Sequence, residues 1–192
     1  MKKIAVFASG SGSNFQSIAY AAKSGELKAE IVLLVCDNPK ALVLERAEKL
    51  GIPAFVFSPR KYDSKEAFET EIAARLKESG AEFLVLAGYM RLIGSTLLAA
   101  FPRKIVNIHP SLLPSFPGKD AVGQALAAGV KVTGVTVHFV DEGMDTGPII
   151  AQRSVEVKEG DTRESLQAKI QDVEHQLFPS VLQKLLGERI LT

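Results

Sequence analysis

Residues 3–15 read KIAVFASGSGSNF, in which an apolar run leads into a glycine-rich turn and then into an amphipathic segment. The run at residues 3–8 has the length of a buried strand. The segment behind the glycines repeats its apolar residues at helical spacing, at Phe15, Ile18, Ala19 and Ala22. A strand followed by a tight turn and a helix begins a βαβ unit, so this stretch predicts an α/β fold.

The alternation of strand and helix patterns continues along the chain. Four more apolar runs are predicted as strands, at residues 30–36, 54–57, 83–87 and 104–108. Segments of helical length fill most of the gaps between them. Strands that alternate with helices predict a doubly wound, mostly parallel sheet with helices on both faces.

The pattern changes after residue 108. Three prolines, Pro110, Pro114 and Pro117, exclude regular helix or central strand, so residues 109–118 are predicted to form a shaped loop. A short helix is expected around residues 121–128. Two further strands, at residues 132–140 and 149–157, predict a hairpin-like or mixed end to the sheet.

The last predicted element is a C-terminal helix. It is expected to begin at Asp161 or Thr162, with Glu164 as an acid in its first turn. Because proline lacks an N–H group and clashes with the preceding turn, Pro179 is expected to kink or interrupt this helix.

Composition limits the classes of protein that the chain can be. Its 192 residues, 46% hydrophobic and 23% charged, predict one globular domain over residues 1–192. A formal charge of +1 gives no broad electrostatic footprint for nucleic acid or an anionic membrane. We therefore expect small-molecule substrates and neither a nucleic-acid nor a membrane partner; the sequence gives no prediction of oligomeric state.

The single cysteine and the N-terminus predict the compartment. Cys36 alone can form neither an internal disulfide nor a Cys-based zinc site, which favours a reducing cytoplasm. The apolar run at residues 4–8 is too short for a secretion signal, and other apolar runs fall far below membrane-spanning length. A cytoplasmic enzyme or binding protein is expected.

The glycine turn at residues 10–14 favours a phosphate ligand, because backbone N–H groups and a helix N-terminus face whatever lies there. The dinucleotide motif fits poorly, since Phe15 replaces the third glycine of G-x-G-x-x-G. The structural alternative is a tight turn with Ser13 or Asn14 as the helix N-cap. Our preferred interpretation is a phosphomonoester site.

Two polar residues end the fifth predicted strand. Asn107 and His109 point to the same side, because side chains in a strand alternate with period two. The carboxyl ends of parallel strands open onto the ligand crevice, and the glycine turn lies at such an end. An amide beside an imidazolium is a suitable donor pair for the oxyanion that forms when an amine adds to an acyl carbon.

Asp145, in the acidic segment 141–147, is the candidate carboxylate partner of His109, because a nearby negative charge favours the protonated ring. The alternatives are a strand-end histidine bonded to backbone and a turn acid before Gly147. His138 lies within a strand pattern and is interpreted as packing or support around the site. With no third ligand at a suitable spacing, a His-based metal site is not predicted.

Two longer stretches resemble the folate-dependent formyltransferase family. NIHPSLLP, at residues 107–114, is similar to the family's catalytic strand end, and GVTVHFVDEGMDTGPII, at residues 134–150, is similar to its long signature. The resemblance covers nearly the whole chain. The glycine turn, the single-domain length and Glu174 point within the family to the enzymes that formylate glycinamide ribonucleotide in purine biosynthesis.

The resemblance implies that 10-formyltetrahydrofolate, as co-substrate, donates its formyl group directly to the amine of glycinamide ribonucleotide. Asn107, His109 and Asp145 match the catalytic trio. The first two stabilise the oxyanion, while Asp145 favours the charged His109 ring and relays protons through water. Three positions match those that hold the ribonucleotide phosphate: Gly12, Ser13 and Asn14.

The resemblance also implies a folate pocket. One part matches the segment after the fourth strand, at Met90, Arg91, Leu92 and Ile93; without the resemblance these would be packing residues and a solvated charge. A second part matches the loop around the pterin ring, at Asp141, Glu142, Gly143, Met144 and Asp145, with Asn107 beside it. Lys65 matches a position where relatives often have Arg, so its contact would be a point charge.

Glu174 lies at the edge of the buried stripe that Ile170, Leu177 and Val181 define on the last helix. A carboxylate there needs a partner. The resemblance implies the ammonium or ribose hydroxyls of the ribonucleotide, with Gln171 one turn earlier; a structural salt bridge is the alternative. In this interpretation residues 1–103 form a phosphate-binding half, and residues 104–192 carry the catalytic strand end, the folate loop and the last helix.

Three other functions are compatible with parts of the sequence. A formyltetrahydrofolate hydrolase would share the trio but usually has an additional N-terminal regulatory domain, which this chain is expected to lack. A methionyl-tRNA formyltransferase would have an additional C-terminal nucleic-acid-binding domain and a basic surface. A non-catalytic sugar-phosphate or dinucleotide binding module would explain the glycine turn but would leave Asn107, His109 and Asp145 as coincidences.

Overall fold

A computed structural model describes residues 1–187, so the last five residues of the predicted domain lie outside the described part. The strands are β1 (Lys2–Ala8), β2 (Ala29–Cys36), β3 (Ala54–Val56), β4 (Phe83–Leu86), β5 (Ile105–His109), β6 (Val132–Phe139) and β7 (Ile149–Glu156). The helices are α1 (Ser13–Ser24), α2 (Val43–Lys49), α3 (Lys65–Ser79), α4 (Ser95–Ala100), α5 (Ala121–Ala128) and α6 (Arg163–Gly187). Each end of the seven predicted strands lies within one residue of the observed end.

The seven strands form one sheet in the order β3-β2-β1-β4-β5-β6-β7. The pairs from β3 to β5 are parallel, and β6 and β7 join them antiparallel. This confirms the predicted fold class, including the mixed C-terminal end. The chain runs outward from β1 to β3 and returns to β4 on the other side of β1, so a ligand crevice is expected where β1 and β4 end.

Helices cover both faces of the sheet because successive strand residues point to opposite sides. In β1, Ile4 and Val6 pack into one hydrophobic core and Ala5 and Phe7 into another. The first core includes apolar residues of α1 and α6, and the second includes those of α3 and α4. Within residues 1–187 no helix is long and apolar enough to cross a membrane.

Of the two predicted effects of Pro179, a kink or an interruption of the last helix, the interruption is wrong, because α6 continues through Pro179 to Gly187. A proline cannot donate to the carbonyl four residues earlier, which here belongs to His175. The hydroxyl of Ser17, on α1, donates to that carbonyl at 2.7 Å. The neighbouring helix thus replaces the hydrogen bond that the proline removes. The helix begins at Arg163, one residue after the predicted start at Thr162.

Candidate active site

A cleft of about 750 Å³ opens at the carboxyl ends of the central strands. It is lined by the glycine turn after β1, the segment after β4, the ends of β5 and β6, the segment before α5, the acidic segment after β6 and the first half of α6. Residues that are far apart in the sequence therefore share one cavity, as the strand order requires.

The glycine turn starts α1 without a side-chain cap. Gly12 is the N-cap residue, with φ +74°, and no side-chain cap hydrogen bond forms. The alternative that Ser13 or Asn14 caps the helix is therefore wrong. The N–H groups of the first turn have no helical carbonyl to bind. Gly12, Ser13 and Asn14 all line the cleft, and this geometry suits an anion.

Gly12→Ala is expected to weaken binding of a phosphomonoester ligand about tenfold, the effect of losing roughly one charge-assisted hydrogen bond. A Cβ at residue 12 would collide with the Val43 side chain, and an alanine at this φ costs about 1–2 kcal/mol of stability. Isothermal titration calorimetry measures the affinity. Gly25→Ala is the matched control: Gly25 ends the same helix at φ +86°, and no atom of residues 1–187 lies within 4 Å of an added Cβ. Equal affinity in the two variants would contradict the assignment.

The predicted trio is brought together at the end of β5. His109 is 5% exposed, and its Nδ1 lies 3.5 Å from Oδ2 of Asp145. The other ring nitrogen, Nε2, lies 2.8 Å from the carbonyl oxygen of Phe116. That carbonyl can only accept, so Nε2 carries a proton and Nδ1 is the nitrogen that faces the carboxylate.

His138 belongs to the site in a supporting role, which was one of its two interpretations from the sequence. It is the antiparallel partner of Asn107 across β5 and β6. Its Nε2 lies 3.2 Å from Nδ2 of Asn107 and 3.7 Å from Oδ1 of Asp145. Its Nδ1 donates to the carbonyl of Phe139 at 2.8 Å, so Nε2 can accept from the amide and fix its orientation. The signal in the sequence was a histidine alternating with buried valines in β6.

Asp145 is ionised in this setting. Burial by itself would raise the pKa of its carboxyl group, but the nearby His138 ring, a hydrogen bond from the N–H of Gly118 and the charge of His109 lower the pKa below its ordinary value. The Gly118 bond is 2.8 Å long. A fixed negative charge therefore stands between two imidazole rings.

Glu174 and Asn14 meet at the other end of the cleft. Asn14 Nδ2 donates to Glu174 Oε2 at 3.1 Å. Glu174 is 7% exposed, and burial raises the pKa of its carboxyl group to about 7, although the bond from Asn14 opposes this. Within the described residues Asn14 Oδ1 is buried without a hydrogen-bond partner. The pair thus presents acceptors to a ligand that carries hydroxyl or amino groups.

Comparison with known proteins decides the family. The chain matches the family model described as formyl transferase over residues 2–182. The chain belongs to the formyl transferase family. The resemblance predicted from residues 107–114 and 134–150 is confirmed.

Individual relatives of this formyl transferase carry more specific names. It is 58% identical over 187 residues to phosphoribosylglycinamide formyltransferase of Bacillus subtilis (strain 168), covering 97% of this chain and 96% of that protein. It is 43% identical over 195 residues to chloroplastic phosphoribosylglycinamide formyltransferase of Vigna unguiculata, covering 99% of this chain and 62% of that protein. The crystal structure of glycinamide ribonucleotide transformylase 1 from Geobacillus kaustophilus matches with a TM-score of 0.95 at 63% identity, covering 97% of this chain and 100% of that chain.

Several residues predicted to contact folate line the cleft of this formyl transferase. They are Met90, Arg91, Leu92, Ile93, Asn107, Gly143, Met144 and Asp145. Met90 is 68% exposed and Met144 56%, so the cleft has an apolar surface open to solvent. Arg91 Nε donates to Asp37 Oδ2 at 2.7 Å, and Met90 N–H donates to Ser9 Oγ at 2.9 Å.

Three other residues predicted to contact folate, Lys65, Asp141 and Glu142, do not line the cleft. Lys65 begins α3, where its charge acts on the buried carboxylate of Glu69. Asp141 Oδ1 accepts from the Gly143 N–H at 3.0 Å and from the Thr146 hydroxyl at 2.6 Å. Asp141 thus shapes the acidic segment from within, and contact between its carboxylate and folate stays a prediction.

Proposed function

We propose that this formyl transferase moves the formyl group of 10-formyltetrahydrofolate to the primary amine of glycinamide ribonucleotide, as in de novo purine biosynthesis. The observation that carries the proposal is a single cleft that joins an anion-binding helix start to the cluster of Asn107, His109 and Asp145. The names of the similar proteins from Bacillus subtilis and Vigna unguiculata support the choice of acceptor.

The ribonucleotide occupies the α1 end of the cleft in this proposal. Its phosphate accepts from the N–H groups of Ser13 and Asn14, where the helix dipole also favours an anion. Glu174 and the free Oδ1 of Asn14 accept from the ribose hydroxyls or the amine, and Gln171, which also lines the cleft, binds beside them. The remainder of the substrate then extends toward β5.

The folate occupies the other end. Its flat ring system lies against the exposed apolar side chains of Met90, Leu92 and Met144, because burying such surface from water is favourable. Asn107 stands where the formyl carbon meets the amine. The co-substrate is released after each turnover, and no metal is proposed to take part.

The transfer needs one addition and one elimination. The amine nitrogen attacks the formyl carbon, the carbonyl electron pair moves to oxygen, and Asn107 Nδ2 donates to the resulting oxyanion. Re-formation of the carbonyl breaks the bond between carbon and the folate nitrogen. The proton lost by the amine passes to that nitrogen through water beside Asp145.

His109 stabilises the negative charge that develops on the oxyanion. Because Asp145 remains ionised, it balances a positive charge on His109, which in turn lies close to the developing oxyanion. The 3.5 Å contact between His109 Nδ1 and Asp145 is long for a hydrogen bond, so an incoming oxygen can share that N–H.

Loss of the formyl donor tests the proposal directly. The protein is incubated with 10-formyltetrahydrofolate, with and without glycinamide ribonucleotide, and tetrahydrofolate formation is followed by absorbance. Formation only with the ribonucleotide is expected. Formation without it would indicate hydrolysis, and no reaction despite tight binding of the ribonucleotide would indicate a binding module; either result would reject the proposal.

Glu174 is expected to make the unliganded protein less stable as the pH rises from 5 to 7. The folded protein holds the proton up to a pKa of about 7, against 4.5 for the ordinary group, so in this range it binds more protons than the unfolded chain. Linkage gives a loss of about 2 kcal/mol between pH 5 and pH 7. Urea unfolding of wild type and Glu174→Gln at both pH values measures it. The variant should lack this loss. An equal change in the free energy of unfolding between pH 5 and pH 7 in both proteins would contradict the assignment.

A further inference from the structure

The segment of residues 116–120 holds both members of the His109–Asp145 pair through its backbone. The carbonyl of Phe116 accepts a hydrogen bond from Nε2 of His109 at 2.8 Å. The N–H of Gly118 donates to Oδ2 of Asp145, also at 2.8 Å. These contacts do not depend on the segment's own side chains. The orientation of its peptide groups therefore sets where the imidazole and the carboxylate lie.

The backbone of this segment is strained. Phe116 has φ +53° and Asp120 has φ +58°, in the left-handed region that residues other than glycine rarely adopt. Such conformations persist only when surrounding contacts hold them in place. Contacts from outside the segment must therefore hold residues 116–120 in this conformation.

Gln124, in the first half of α5, provides two of these contacts. Its Nε2 donates to the carbonyl of Pro117 at 3.0 Å and to the carbonyl of Lys119 at 2.8 Å. The Pro117 carbonyl and the Gly118 N–H belong to one trans peptide group, in which they point in opposite directions. Gln124 thus binds one edge of the peptide plane whose other edge holds Asp145.

We infer that Gln124 is a positioning residue for Asp145, which it orients through the peptide group between Pro117 and Gly118. The inference rests on the proposed function for its effect on turnover. Gln124 is outside the cleft lining, so it acts on the site through the two carbonyls that it binds, and of these the Pro117 carbonyl shares its peptide group with the N–H that holds Asp145. The start of α5 is secured separately, because Asp120 accepts from the Gly123 N–H and pairs with Arg163.

Replacing Gln124 by Met keeps the length of the side chain and removes both donors. In Gln124→Met we expect kcat to fall about tenfold, the effect of weakening one hydrogen bond to a charged group, while KM for the ribonucleotide stays unchanged. The Gly118 N–H lowers the pKa of Asp145, so weakening that bond should move the acidic limb of the kcat profile to higher pH. Gln176→Met, on the exposed side of α6, is the matched control.

Carboxyl carbon NMR separates this inference from the proposed function, because it requires no turnover. With carbon-13 in the aspartate side chains, Asp145 should titrate at a higher pH in Gln124→Met than in wild type or Gln176→Met. Gln124→Leu, which also lacks a donor and adds no charge, should show the same direction and provides a second variant. An unchanged Asp145 titration in either Gln124 variant overturns the inference. A wild type that transfers no formyl group overturns the proposed function and leaves this result intact.

Discussion

Asp145→Asn is expected to lower kcat by about 100-fold or more, the usual scale for residues that act in acid–base steps. The amide has nearly the same shape, tolerates the φ of +55° found here and keeps an oxygen for the Gly118 N–H. It lacks the negative charge that faces His109 and His138. Steady-state rates with both substrates varied measure the effect.

The affinity for the ribonucleotide should remain close to that of the wild type in this variant, because the glycine turn and Glu174 form the other end of the cleft. Asp63→Asn serves as control, since Asp63 is exposed and outside the cleft. Turnover near the wild-type rate in Asp145→Asn would remove Asp145 from the mechanism. If kcat also fell in Asp63→Asn, the loss in Asp145→Asn would not be specific to the site.

Asn107→Ala is expected to reduce kcat by about 10²–10³, the range measured when one oxyanion donor is removed. Asn107 is only partly exposed at the end of β5, and its amide is oriented by His138 at 3.2 Å. A donor held in this way needs no reorganisation when the oxyanion forms. Rapid-quench measurement of a single turnover isolates the chemical step from product release.

Asn107→Asp separates the lost donor from the cavity that alanine leaves. The carboxylate fills the same space but offers an acceptor and a negative charge to the oxyanion, so its single-turnover rate should be no higher than that of Asn107→Ala. A normal rate combined with a raised KM for 10-formyltetrahydrofolate, in both variants, would mean that Asn107 only positions the folate.

Local pattern was sufficient to predict the elements of the fold. The continuous apolar run predicted β1, and the prolines at 110, 114 and 117 predicted the loop after β5, because both effects act on the backbone over a few residues. The mixed end of the sheet followed from two strand patterns joined by the short acidic segment. The ligand crevice was predicted because parallel strands place their carboxyl ends on one edge.

Contacts between distant segments account for the differences. Pro179 remains inside α6 because the hydroxyl of Ser17, on another helix, binds the carbonyl that the proline leaves free. His138 reaches the site because β6 pairs with β5 in the register that sets it opposite Asn107. Neither effect is encoded in the neighbours of the residue concerned.

The sequence by itself determined the α/β fold, the strands and the family, because periodicity and two long motifs are properties of short continuous stretches. Only the tertiary structure decided which residues share the cleft. The tertiary structure places His138 in the cleft. It turns the Asp141 carboxylate into its own loop and places Lys65 beside Glu69. Distances between side chains depend on strand register and on how loops such as residues 116–120 are held, and these are set by contacts across the whole fold.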